Sequence, residues 1–358
     1  MFMILITSTL RFQIRTPRFR VLALLLCAGF LAIAGRAFAE SPRGVYSIAT
    51  SGKKIQDPVL TNPDVDGISL RQNWLDIEKT EGVYDWSYFD GQIARVAPVG
   101  KKVLLRLMTM GGRPAWVDIA IQKAHGKFFT WSNGGVNTTI PAFWDPTFLA
   151  KKKAMIAAMG AHFTNNPTVS IVCVSFANAI TEDWNVPHTP SYITQWQNLG
   201  YTTANMLSAG QQLIDATMAA FPNQFVTLAV GSTGNLDADE ETVARGAVDA
   251  ARAAWPGRLI VQKNDLSTCI PVAPGTDSLY DMIWDYQPDI AGQMLDLIYN
   301  KTGYKVSCGV PMDPTVTLET VVTLAIAYSE KRIEIYEGDV VHYPAAITFA
   351  HTALWALP

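Results

Sequence analysis

Short apolar runs alternate with helical patterns from residue 45 to the end of the chain, and this alternation restricts the fold more than any other feature. Strands are predicted at Val45–Thr50, Gly67–Trp74, Lys102–Met108, Val169–Ala177, Phe225–Gly231, Arg258–Asn264, Tyr304–Val310 and Arg332–Tyr336. Helices are predicted at Trp86–Val96, Leu149–Phe163, Tyr192–Phe221, Ala238–Ala254, Asp289–Tyr299, Leu318–Ser329 and Ala345–Leu357. Parallel neighbours need a crossover, and a helix is the usual one, so the alternation predicts parallel pairing. Eight such units fit a (β/α)8 barrel, the TIM-barrel architecture. A doubly wound sheet competes, but no glycine-rich phosphate turn follows the first strand. No linker or internal repeat interrupts the pattern, so residues 40–358 are expected to form one domain.

Residues 1–39 are of another kind. Arg11, Arg15, Arg18 and Arg20 precede an apolar run, Val21–Ala34, which leads to Ala37-Phe38-Ala39. A basic start, a short apolar stretch and a small-x-small end have the form of a secretory signal peptide. The run is shorter than the roughly 20 residues that span a bilayer, with an uncleaved anchor as the alternative. Cleavage after Ala39 removes five Arg and no acid, leaving 23 basic and 31 acidic residues, a charge of −8 on 319 residues. The whole chain is 49% apolar and 16% charged, which excludes a disordered or collagen-like protein. No basic excess neutralises phosphates, so nucleic acid is not an expected partner. The expectation is a secreted or periplasmic protein with no membrane association after cleavage, its oligomeric state left open.

Cys173, Cys269 and Cys308 follow the cleavage site. They allow one disulfide at most. Cys269 and Cys308 lie on or after neighbouring predicted strands and are the favoured pair, with buried thiols as the alternative. His125, His162, His188, His342 and His351 show no metal-ligand spacing, and no Gly-x-Ser-x-Gly elbow is present. Neither a metal nor an organic cofactor is expected.

A barrel places its active site at the carboxyl ends of the strands. Two connections there are long, Thr109–Thr147 and Leu266–Tyr280. The first carries Trp116, Phe128, Phe129, Trp131, Phe143 and Trp144, which either stack on sugar rings or pack as a lid over their own small core. Side chains alternate along a strand, so helix-facing Ile68 and Leu70 turn Ser69, Arg71 and Asn73 toward the axis. The same parity turns Arg106, Gln262, Asn264, Glu334 and Tyr336 inward. Buried charges must be paired. These either form an interior layer, with an Arg71–Glu334 ion pair, or surround a polar ligand.

The fourth predicted strand ends at Asn178, and Glu182 and Asp183 follow on the loop. Two carboxylates flanking one bond are what glycoside hydrolysis requires. Trp184 beside Glu182 would desolvate it and raise its pKa, as a general acid needs. The alternative is a pair of solvated loop acids.

Four segments carry a family likeness: Gly67-Ile-Ser-Leu-Arg-Gln-Asn-Trp74, Asp76-Ile-Glu-Lys-Thr-Glu-Gly-Val-Tyr-Asp-Trp86, Gly100-Lys-Lys-Val-Leu-Leu-Arg106 and Arg113-Pro-Ala-Trp116. Over residues 67–116 the chain resembles the N-terminal half of the barrel of retaining glycoside hydrolases, especially the family 42 β-galactosidases. Those share a strand-two Arg and Trp, a Glu followed after two or more residues by a Gly-x-Tyr-Asp-Trp turn, which Glu78 rather than Glu81 would supply here, and a Pro-x-Trp after strand three. In this chain Glu81 directly precedes Gly82. Tyr84 and Trp86 are suited to anchor the turn, and Asp85 to cap the helix carrying Phe89 and Ile93. Farther on, Asn178 matches the Asn of the family's Asn-Glu pair, but Ala179 occupies the Glu position. The predicted seventh strand, Tyr304–Val310, holds no carboxylate, and Asp313 comes late.

The resulting expectation is an exported (β/α)8 glycoside hydrolase acting on an oligo- or polysaccharide. Glu182 is the expected general acid/base and Glu334 the second carboxylate, with Glu337 in reserve. Arg71, Arg106 and Asn178 are expected to orient that carboxylate and the sugar hydroxyls. Trp74, Trp116 and Trp184 would offer stacking faces, and Gln262, Asn264 and Tyr336 complete the substrate-binding set. Two other readings stay open. The Asn178-Ala179 departure suits a carbohydrate-binding barrel without catalysis. The inward arginines suit a lyase or isomerase of a phosphorylated or acidic substrate.

Overall fold

A computed structural model describes residues 40–133, 136–175, 190–230, 241–272, 275, 278–299, 306–309 and 313–358. The strands are β1 (Gly44–Ile48), β2 (Gly67–Asn73), β3 (Lys102–Met108), β4 (Phe128–Asn133), β5 (Val136–Pro141), β6 (Val169–Cys173), β7 (Phe225–Ala229), β8 (Leu259–Leu266), β9 (Ile290–Met294) and β10 (Arg332–Tyr336). Eight of them close into a parallel barrel in the order β1-β10-β9-β8-β7-β6-β3-β2, while β4 and β5 form a separate antiparallel hairpin. The helices are α1 (Asp57–Thr61), α2 (Trp74–Ile77), α3 (Ser87–Val96), α4 (Ala115–Lys123), α5 (Pro146–Phe163), α6 (Pro190–Asn198), α7 (Thr203–Ala220), α8 (Glu241–Ala254), α9 (Ser278–Trp284), α10 (Pro314–Ala327), α11 (Glu337–His342) and α12 (Pro344–Trp355). Among the described residues, no helix is long and apolar enough to cross a membrane.

The predicted parity holds on the barrel wall. Val45, Ile68, Leu70, Val103, Leu105, Val261, Ile333 and Ile335 are all buried in the apolar core. Each such side chain contributes about 1.5–3 kcal/mol when removed from water, and this continuous shell ties the helices to the sheet. Helix α5 shows how the local sequence serves it. Asp145 accepts from Phe148 N at 2.8 Å and Pro146 opens the helix. Phe148, Lys152, Met155, Ile156, Met159 and Phe163 then recur on the buried face.

Three sequence expectations are corrected. The seventh barrel strand is Ile290–Met294, within the segment predicted as a helix, and not Tyr304–Val310. Ile290, Met294, Leu297 and Ile298 recur at helical spacing, which misleads the reading. Gly292 reveals the strand instead: a β-carbon there would overlap the Glu330 carboxylate and Leu266. At the other site Cys308 and Gly309 have φ of 58° and 75°, a left-handed turn that no strand accommodates. The predicted helix Tyr192–Phe221 is two helices, α6 and α7, separated where Gly200 has φ 92°. Finally, the loop after β3 contains the β4–β5 hairpin. Apolar–polar alternation on either side of Asn133-Gly134-Gly135 is the signal that betrays it.

Candidate active site

Inside the barrel, polar side chains from five strands make one sealed layer. Glu334 has no exposed surface. Arg106 pairs with it, Arg332 Nη1 lies 3.2 Å from Oε1, and Gln262 donates to Oε2 at 2.8 Å. The network continues from Arg106 Nε to Ser69 Oγ at 3.0 Å and from Arg332 to Gln262 Oε1 at 2.7 Å. Thr227 Oγ1 donates to that same Gln262 oxygen at 3.1 Å, and Gln262 donates to Asn264 Oδ1 at 2.6 Å. Tyr46 lies under Arg332, with 5.3 Å from guanidinium carbon to ring centroid, and burial pushes its hydroxyl up to about 12. Gly67 makes room, since a β-carbon there would overlap the Tyr46 ring. Burial pulls the Arg332 pKa down, opposed by Glu334. Two arginines on one carboxylate satisfy the rule that buried charge be paired and hydrogen-bonded. The expected Arg71–Glu334 ion pair is replaced by Arg106 and Arg332, because Arg71 lies nearer the mouth.

At that mouth Arg71 is half-buried. Its Nε donates to Ala49 O at 3.1 Å, and its guanidinium carbon is 5.9 Å from the Tyr336 ring centroid. Glu337 opens α11, is buried, and accepts from Gln56 N at 2.6 Å. Tyr88 shares this corner. Burial pushes its hydroxyl up to about 12, aided by Glu337 and opposed by Arg71. Across the barrel, Thr109 and Ser175 join the ends of β3 and the fourth barrel strand, β6, by a 2.7 Å hydrogen bond.

The corrected strand order brings forward a carboxylate that sequence reasoning missed. Asp296 lies two residues past β9, half-buried at the top of the seventh barrel strand. Leu295 N donates to Leu266 O at 3.0 Å, and Leu297 N donates to Asp296 Oδ1 at 2.8 Å. Asp339, from α11, holds the next turn: it accepts from Ile298 N at 3.1 Å and Tyr299 N at 2.7 Å. Burial raises the Asp339 pKa, and the Asp296 charge adds to the rise. Reading Ile290–Met294 as a strand is the signal that finds Asp296. The disulfide between Cys269 and Cys308, with Cα atoms 5.3 Å apart, clips the loop after β8 to the loop after β9. Cys173 is buried and outside the bridge.

The aromatic expectations resolve toward packing. Trp74 is fully buried, donates to Glu78 Oε2 at 2.6 Å, and meets Trp116 edge-on at 5.9 Å. Trp116 donates to Glu78 O at 2.9 Å. These two indoles clamp a buried glutamate; Trp74 has no exposed face, while Trp116 is half-buried. In the long loop, Phe129 stacks on Trp196 of α6 at 3.9 Å, with Phe143 and Trp144 at 5.1 and 5.7 Å from the same ring. They form the small core of a lid. Asn178, Glu182 and Trp184 lie outside the described residues.

No family model matches the sequence, and no curated protein matches it. Solved structures do match. The catalytic domain of β-amylase from Paenibacillus polymyxa aligns with a TM-score of 0.61 at 10% identity, covering 89% of this chain and 100% of that one. The chain is similar in fold to solved glycosidase barrels. β-Galactosidase from Rahnella sp. R3 aligns at TM-score 0.55 and 11% identity over 89% of this chain and 58% of that one. β-Galactosidase from the psychrophilic Marinomonas ef1 gives 0.52 and 9% over 87% and 59%. The chain thus spans about three-fifths of the length of the two galactosidases. At these identities the likeness is one of fold.

Proposed function

We propose that the chain is an exported glycoside hydrolase that uses two carboxylates at the mouth of the barrel. The observation that carries this reading is the likeness to an amylase catalytic domain over nearly all of this chain and the whole of that domain, joined by two galactosidase barrels. Function does not follow from fold alone. The residues supply the rest. Asp296 stands at the top of the seventh strand, and Glu182 follows the fourth. Acids carried by two segments far apart in the chain can flank one glycosidic bond, one protonating the leaving oxygen and the other acting as nucleophile or base. Asp296 takes the role expected of Glu334, because the sealed Glu334 has no route to a substrate. Asp339 holds the turn that carries Asp296. Glu337 belongs to the Arg71 corner and is a substrate-side residue. Residues 1–39 act as the export signal, and the mature protein begins at Glu40.

The test is hydrolysis of a panel of aryl glycosides and polysaccharides by the purified protein and by Glu182→Gln. The proposal expects turnover of at least one substrate and its loss by about a thousandfold or more in the variant. A protein that binds saccharides while hydrolysing none is the non-catalytic barrel that Ala179 motivates. Peptide sequencing of the exported protein checks the leader, with Glu40 as the expected first residue.

A further inference from the structure

We propose that Arg71 is the fork that binds the carboxylate of a uronic acid unit, so that the substrate is a short acidic saccharide. This rests on the saccharide reading above and names its substrate class. Arg71 presents five N–H donors, and the structure uses one of them, Nε to Ala49 O. Among the described residues its terminal nitrogens reach no hydrogen-bond acceptor and no ion-pair partner. The contrast with Arg106 and Arg332, both buried against Glu334, is informative. Those two are paired with Glu334 inside the scaffold, while Arg71 stands nearer the mouth and, among the described residues, has no ion-pair partner. Tyr336 lies beneath the guanidinium and restrains its plane.

Half-buried, the guanidinium has lost part of its hydration, so a ligand that restores its hydrogen bonds gains more than at an exposed site. A planar fork matches a carboxylate in two parallel hydrogen bonds, whereas neutral hydroxyls leave the charge unanswered. Glu337 is the acid sharing this corner, but it turns to Gln56 N and makes no ion pair with Arg71. The turn after β1 adds Lys53 and Lys54 on the rim, with Lys54 3.7 Å from Asp57. Elsewhere the chain past residue 39 is acidic, with 31 acidic against 23 basic residues. That field disfavours a long polyanion and leaves room for one charged unit at a local cation.

Calorimetric titration decides the matter. The probes are disaccharides ending in glucuronic, galacturonic or mannuronic acid, each beside its neutral carboxyl-reduced counterpart. For at least one pair the acid should bind about tenfold tighter or better. Arg71→Met should erase that difference by weakening the acid about tenfold more than its neutral partner, and Arg71→Lys should retain part of it. Should Arg71→Met fail to fold, the wild-type comparison still decides. Equal binding of acid and neutral partners by the wild type overturns the proposal, as does an equal loss of both in Arg71→Met. Binding of neutral saccharides alone removes the uronate assignment and leaves the hydrolase reading standing. Failure to bind any saccharide, here or in the hydrolysis panel, removes both.

Discussion

Glu334 illustrates how one side chain separates scaffold from chemistry. It is the carboxylate on which Arg106, Arg332 and Gln262 converge, with no surface open to solvent. Glu334→Gln removes the carboxylate that the buried Arg106 and Arg332 share. Breaking such a pair costs about 3–5 kcal/mol, so urea unfolding should show that loss. A variant as stable as wild type would mean that the layer is not held by its charges. Parity along the strands made Ser69, Arg106, Gln262, Asn264 and Glu334 legible as inward residues, because alternation is fixed by strand geometry. It did not say which arginine meets which acid, since height in the barrel depends on register and side-chain reach. Arg71 and Arg106 are paired in register, yet Arg106 turns down to Glu334 and Arg71 stays at the mouth.

Elements were legible wherever one period dominated. Strands β2, β3 and β10 lie within a residue of their expected bounds, as alternation and β-branched content predict. Strand β9 was not, because Ala291 and Gly292 carry little strand propensity and the flanking apolar residues repeat at helical spacing. Its identity is set by tertiary packing, through the contact of Gly292 with Glu330 and Leu266. Losing β9 hid Asp296 from the sequence reading. Helix α5 gives a pH test. Lys152 is fully buried on its inner face, and burial lowers its pKa to about 7. A folded-state pKa below the unfolded 10.5 means that the folded protein releases this proton first. The contribution of Lys152 to stability therefore rises with pH from about 7 to 10.5 and is lost as pH falls through 7. Lys152→Met should be stabilising relative to wild type at or below pH 7, with the gain fading by pH 10.5. Melting curves across that range check it, and a gain independent of pH would contradict it.

At the scale of the whole molecule, eight parallel strands set a rigid rim, and long connections after β3, β8 and β9 shape what stands on it. Alternation of strands and helices made that architecture readable in the sequence, while the contents of the long loops depended on contacts between distant segments. The Cys269–Cys308 bridge fastens two of those loops and encloses a sequence separation of 39 residues. A loop of that length gives about 4 kcal/mol of stabilisation if the bridge acts by restricting the unfolded chain. Reduction, or Cys269→Ser with Cys308→Ser, should lower the melting temperature accordingly; an unchanged melt would show that the loops are held by other contacts. The proposed function divides labour between a sealed arginine–glutamate layer, which holds the barrel, and Asp296 at the top of the seventh strand, which would act on substrate. Turnover by Asp296→Asn measures that division most directly. If Asp296 acts on substrate, turnover falls by about a thousandfold or more in a variant that still folds. Wild-type turnover in a folded Asp296→Asn protein would contradict that role.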